Sequence, residues 1–110
     1  MKILTFGEMM LRLKPPTNER ILQTQNFEAT YGGAEANVAV SLALLGNKVE
    51  YLSKFPENLL GESAINTLRK YGVDTAKCLR GGDRLGIYFF EKGASIRSTN
   101  VVYDRAYSSF

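Results

Sequence analysis

The glycine pair Gly32-Gly33 opens directly into Ala34-Glu35-Ala36-Asn37-Val38-Ala39, a run of small and apolar residues interrupted by one carboxylate and one amide. Glycine has no Cβ to hold two backbones apart, so a helix starting here can lie very close to a sheet. The N–H groups of its first turn have no partner within the helix. They are free to meet an anionic or polyhydroxylated ligand. Val38, Ala39, Leu42, Ala43 and Leu45 recur at helical spacing, and Val40 and Leu44 make residues 34–45 apolar nearly all round. That pattern predicts a helix buried against a sheet and stopped by Gly46-Asn47.

The flanking segments supply the sheet. Residues 3–6 form a short apolar run ended by Gly7, as expected of a buried first strand, and residues 49–53 read as the next strand. Residues 61–71 are amphipathic through Ala64, Ile65, Leu68 and Tyr71 and predict a second helix, followed by a strand at 76–79. This alternation implies a parallel sheet with helices packed on it. Residues 85–91 and 99–103 then read as two antiparallel strands joined through residues 92–98. Residues 9–13, ended by Pro15-Pro16, and the polar residues 21–31 predict further strands with one wet face. The expected fold is α/β: a parallel sheet with helices, plus a small separate β-sheet flap built from non-contiguous pieces.

Composition narrows the function. A chain of 110 residues supports one small domain, and 45% hydrophobic with 23% charged residues is ordinary for a soluble globular protein. The net charge of +3 is scattered, with Arg69-Lys70 the longest basic run, so no nucleic-acid partner is expected. With no histidine, Ser-His-Asp and Cys-His catalysis and imidazole-based zinc sites are excluded. The lone Cys78 cannot form an internal disulfide and reads as a buried, inert thiol, in keeping with a reducing cytoplasm. No apolar run approaches the roughly 18 residues that span a membrane, and the opening residues lack a signal-peptide core. A cytoplasmic protein with no membrane partner is expected. The phosphate-binding patterns G-x-x-x-x-G-K-[ST] and G-x-G-x-x-G are both absent.

Two regions carry polar chemistry. At the glycine turn, Gly33, Ala34 and Glu35 front the helix. Asn37 either extends a polar-ligand site or bonds neighbouring backbone; as the amide of an apolar helix it calls for a partner. Near the far end, Arg105 can pair bidentately with a carboxylate, worth about 1.5–3 kcal/mol when shielded from water. Tyr88 and Tyr103 offer hydroxyls and ring surface to a sugar-like ligand, or simply strand packing. Glu8 ends the first strand, where α/β sheets place ligands, and reads equally as a surface carboxylate. Asp83-Arg84 and Glu91-Lys92 read as turn and surface charges.

Gly32-Gly33-Ala34-Glu35-Ala36-Asn37-Val38-Ala39, running on to Leu45-Gly46, resembles the N-terminal signature of the ribokinase/PfkB carbohydrate kinases. Gly7-Glu8-Met9-Met10-Leu11-Arg12-Leu13 with Pro15-Pro16, Gly86-Ile87-Tyr88-Phe89, Glu91-Lys92-Gly93-Ala94 and Val102-Tyr103-Asp104-Arg105-Ala106 resemble its 2-keto-3-deoxygluconate kinase branch. The resemblance implies transfer of the ATP γ-phosphoryl group, with Mg2+, to a hydroxyl of that small sugar acid. It implies that Gly33, Ala34, Glu35, Asn37, Tyr88, Tyr103 and Arg105 hold the acid, and that lid strands lie around residues 8–31 and 85–105. The family's second signature, a glycine-rich anion hole with an aspartate base, is not among residues 1–110. The expectation is therefore the N-terminal part of a ribokinase-like domain, with no catalytic, cofactor or metal residue of its own. It would be inactive alone, bind no ATP or Mg2+, and associate with itself through lid strands or an exposed sheet edge. Two alternatives stand: a kinase for a neutral sugar such as fructose or ribose, and a non-catalytic oligomerisation module.

Overall fold

The structure, a computed structural model, describes residues 2–93 and 99–110. Strand β1 (Lys2–Phe6) pairs in parallel with β4 (Lys48–Leu52), setting Ile3 beside Val49 and Thr5 beside Tyr51. Helix α1 (Ala34–Leu44) packs on that pair through Ala36 and Ala39, both buried. Small side chains at these two positions let the helix axis approach the strands. Met9, Leu11, Val49, Tyr51, Phe55, Ala64, Ile65, Leu68, Val73 and Leu85 complete the core, with α2 (Leu59–Lys70) covering its far end. The Asn58 side chain accepts a hydrogen bond from the Gly61 N–H and caps α2, which begins two residues before the expected start. Gly46 and Gly72 follow the helices at φ 94° and 85°, the left-handed conformation that stops a helix.

A second sheet holds four strands in the order β3-β2-β7-β8: β3 (Glu28–Gly32), β2 (Met10–Lys14), β7 (Ile87–Glu91) and β8 (Asn100–Asp104). β2 runs antiparallel to β3 and parallel to β7, while β7 and β8 are antiparallel. Alternation assigns the two faces. Leu11, Leu13, Tyr31 and Ile87 pack toward the core, whereas Met10, Arg12, Tyr88 and Tyr103 point to the other side.

Several expectations are corrected. The first strand is not buried on both faces: Leu4 and Phe6 are more than half exposed, because α1 covers only the Ile3 side. α1 itself is open along Val38 and Leu44, with Leu45 beyond its end exposed as well, rather than enclosed all round. Residues 21–27 are not strand. Gln23 and Thr24 donate to the Arg20 carbonyl, and the Thr24 hydroxyl bonds the Asn26 backbone, so local bonds replace the ladder. Residues 76–78 form a turn, with the Ala76 N–H on the Asp74 carboxylate. The strand, β6 (Leu79–Arg80), follows and pairs with the short β5 (Lys54–Phe55). Most of the expected 92–98 connection lies outside the described residues.

Candidate functional site

β1 leads into β2 through Gly7-Glu8-Met9, and β3 leads into α1 through Gly33. These two turns press together. A Cβ on Gly33 would run into the Glu8 carbonyl oxygen. The buried Tyr51 hydroxyl donates to the Gly7 carbonyl at 2.8 Å, fixing the first turn from beneath; burial raises the affinity of that phenol for its proton. α1 has no side-chain cap at its N-terminus, so its first-turn amides are left for solvent or a ligand.

Glu8 is buried, and both of its oxygens are used. Arg105 Nη2 stands 2.5 Å from one, and the Ser108 hydroxyl donates to the other at 2.7 Å. Gly86 makes room for this carboxylate, since a Cβ there would lie 2.6 Å from Glu8 Oε2. Arg84 clamps the end of β8, donating to the Asp104 carboxylate at 2.9 Å and to its carbonyl at 2.6 Å. Arg105 is thereby held against the turn after β1, its side chain still about half exposed and 5.7 Å from the Tyr103 ring.

A cleft of about 480 Å³ results, lined by Gly7, Glu8, Gly33, Glu35, Tyr103 and Arg105 among others. A second cleft of about 300 Å³ adjoins it and shares Met10, Gly33, Ala34 and Tyr103; its own walls include Arg12, Asn37, Tyr88 and Phe90. Tyr88 and Tyr103 face each other across β7 and β8 with ring centroids 5.9 Å apart. Burial raises the proton affinity of the Tyr88 phenol.

The structure therefore brings together all seven residues singled out from sequence: Gly33, Ala34, Glu35, Asn37, Tyr88, Tyr103 and Arg105 line the two joined clefts. Two differ from expectation in their bonding. Asn37 is exposed and makes no side-chain hydrogen bond with another described residue, so it needs no internal partner. Arg105 already holds an internal carboxylate, Glu8. Of two further charged cleft residues, Glu8 was open between ligand position and surface carboxylate, and Arg12 escaped the sequence reading. Glu8 is an internal partner rather than a surface charge, and the signal was Gly86, which nothing in its own segment required. Arg12 lies on the cleft face of β2, a position given by strand parity alone. Glu91 is likewise no surface charge: it is buried, accepting from the Ile21 N–H and the Asn100 amide.

Among the described residues no group of three or more potential metal ligands occurs, and no helix is long and apolar enough to cross a membrane.

The chain as a whole is similar to known proteins. The 2-dehydro-3-deoxygalactonokinase of Haloferax volcanii is 43% identical over 105 residues, covering 96% of this chain and 33% of its own length. The crystal structure of 2-dehydro-3-deoxygluconokinase from Thermotoga maritima superposes with a TM-score of 0.97 at 57% identity, covering 99% of this chain and 33% of that one. A sugar kinase from Pyrococcus horikoshii, solved in complex with ATP, superposes with a TM-score of 0.87 at 31% identity, over 97% of this chain and 35% of that one. This chain thus spans about a third of the length of the relatives it matches. The profile of the pfkB family carbohydrate kinases matches residues 1–110 throughout, and with the α/β layer, the four-stranded sheet and the glycine-fronted cleft in place, the chain belongs to that family.

Proposed function

We propose that residues 1–110 form the sugar-acid-binding segment of an ATP-dependent kinase acting on 2-keto-3-deoxygluconate or a close relative. One observation carries this reading: the uncapped N-terminus of α1, Tyr103 and Arg105 converge on a single cleft. Gly33, Ala34 and Glu35 would meet the hydroxyls, with Asn37 and Tyr88 at the adjoining wall, and a guanidinium would attract the acid group. The four-stranded sheet, which carries Tyr88, Tyr103 and the approach to Arg105, would act as the lid that keeps water from the transferred group.

Membership of a kinase family and the ATP-bound P. horikoshii relative support ATP as the phosphoryl donor of the whole protein, and Mg2+ is proposed as its counterion. The described residues do not fit either group. They hold no cluster of metal ligands, and the sequence has no phosphate loop. No step of phosphoryl transfer is assigned to them, and the chain alone is expected to bind acceptor without turnover.

A neutral sugar such as fructose is the second reading, and one contact favours it: Glu8 already neutralises Arg105. Titration calorimetry on the whole protein as its gene encodes it separates the two. Preferential binding of 2-keto-3-deoxygluconate over fructose supports the first reading, and the reverse preference overturns it. Self-association through β8 belongs to the same proposal, since every residue of this edge strand is exposed. A cytoplasmic setting is proposed on the lone, unpaired Cys78.

A further inference from the structure

The two joined clefts differ in charge. The larger holds Glu8, Glu35 and Arg105, with Arg105 committed to Glu8. The smaller holds one charged side chain, Arg12, among Met10, Asn37, Tyr88, Phe90 and Tyr103. Arg12 makes no ion pair with any described carboxylate. Its register places it directly beside Tyr88, which in turn stands beside Tyr103, so the three form a row across β2, β7 and β8 on one face of the sheet. Its guanidinium lies over the Phe90 ring, 4.5 Å from the centroid. That contact is a cation–π interaction, and the guanidinium N–H groups make no hydrogen bond or ion pair with another described residue. A cation set over an aromatic ring, half-buried and without a counterion among the described residues is well prepared for a planar carboxylate.

We propose that Arg12 is a ligand-contacting, specificity-determining residue whose guanidinium receives the acidic end of a sugar acid, leaving the hydroxyl end toward Glu35 and the first-turn amides of α1. This rests on the sugar-acid reading above and adds the orientation of the ligand. A carboxylate accepts hydrogen bonds from sugar hydroxyls but repels an acid group, so Glu35 and Arg12 favour opposite ends of one molecule. The acid specificity then survives the neutralisation of Arg105.

A thermodynamic cycle on the whole protein tests this, pairing the ligand's charge with the residue's. Affinities for 2-keto-3-deoxygluconate and for its uncharged methyl ester are measured in the wild-type protein, Arg12→Gln, Arg12→Lys and Arg105→Gln. For Arg12→Gln, acid binding should weaken about 10- to 100-fold while ester binding changes less than about threefold. Arg12→Lys, which keeps the charge but loses the fork, should fall between. If Arg12→Gln fails to fold, the lysine variant decides by the same acid-to-ester comparison. Equal losses for acid and ester, or a charge discrimination that vanishes only in Arg105→Gln, overturns the role of Arg12 and leaves the sugar-acid reading standing. A wild-type protein that takes the ester as well as the acid overturns both.

Discussion

Glu8 and Arg105 meet inside the cleft with 2.5 Å between carboxylate oxygen and guanidinium nitrogen, and Ser108 binds the other oxygen of the same carboxylate. The pair joins the turn after β1 to the residue just past β8, so the cleft is closed on itself by charge. It also means that Arg105 is oriented before any ligand arrives, with part of its fork still open to solvent.

Replacing Glu8 should therefore loosen the cleft more than an exposed charge would. Glu8→Gln keeps an acceptor for Ser108 but loses the ion pair; with Arg105 about half exposed, the cost should be about 1–2 kcal/mol. Glu8→Ala should cost more. Urea unfolding midpoints measure this, and an unchanged midpoint in Glu8→Ala would show that the pair holds nothing together.

Gly33→Ala should act through the backbone. The added methyl would meet the Glu8 carbonyl, which belongs to the main chain and cannot rotate away. A loss of roughly 1–3 kcal/mol is expected, as in other overpacked sites, together with weaker ligand binding. A thermal melt matching wild type would contradict the close approach of the two turns.

Asn37→Ala should separate stability from binding. The side chain is exposed and bonded to no described residue, so the melting temperature should barely move. Affinity for the sugar acid should fall about 2- to 10-fold, the worth of one ordinary hydrogen bond. Unaltered affinity by calorimetry would remove Asn37 from the site.

Alkaline pH should destabilise the fold through Cys78. Its thiol donates to the Tyr51 carbonyl at 3.2 Å, and burial pushes its pKa from 9.0 up to about 11. The folded state thus holds the proton more tightly than the unfolded chain. Its contribution is complete below about pH 9 and is lost as the pH rises toward 11. Tyr51, shifted upward by burial, acts in the same direction. Denaturation midpoints across this window should fall, and fall less in Cys78→Ala relative to that variant's own value at pH 8.

The exposed strand β8 and the open Leu4, Phe6 and Leu44 surfaces should drive self-association of residues 1–110. Light scattering after size exclusion should show species larger than a monomer as concentration rises. Val102→Lys should shift them downward if the β8 edge is the contact. A monomer at all concentrations would exclude this.

The α/β layer was legible because each of its signals is local: the glycine pair, the helical spacing of Val38 and Leu42, the stops at Gly46 and Gly72. The seven cleft residues were legible through resemblance, which carries spatial information that single-chain physics lacks. What stayed hidden depends on distant partners. Nothing near Glu8 announces Arg105, and nothing near Arg12 shows that β2 will lie parallel to β7. Residues 21–27 misled because strand-like parity was overruled by the hydroxyl of Thr24, and 76–78 because the Asp74 carboxylate captured the next amide.

The parallel pairing of β2 with β7, Leu11 beside Ile87, sets an order of events. Two adjacent strands pointing the same way must be linked by a long excursion, and here the entire helical layer is that excursion. Long-range pairing of this kind is slow to form, so the cleft is expected to assemble late, after Val49, Tyr51 and Leu68 have condensed behind it. Ligand capture by a refolding chain should lag behind the recovery of helix.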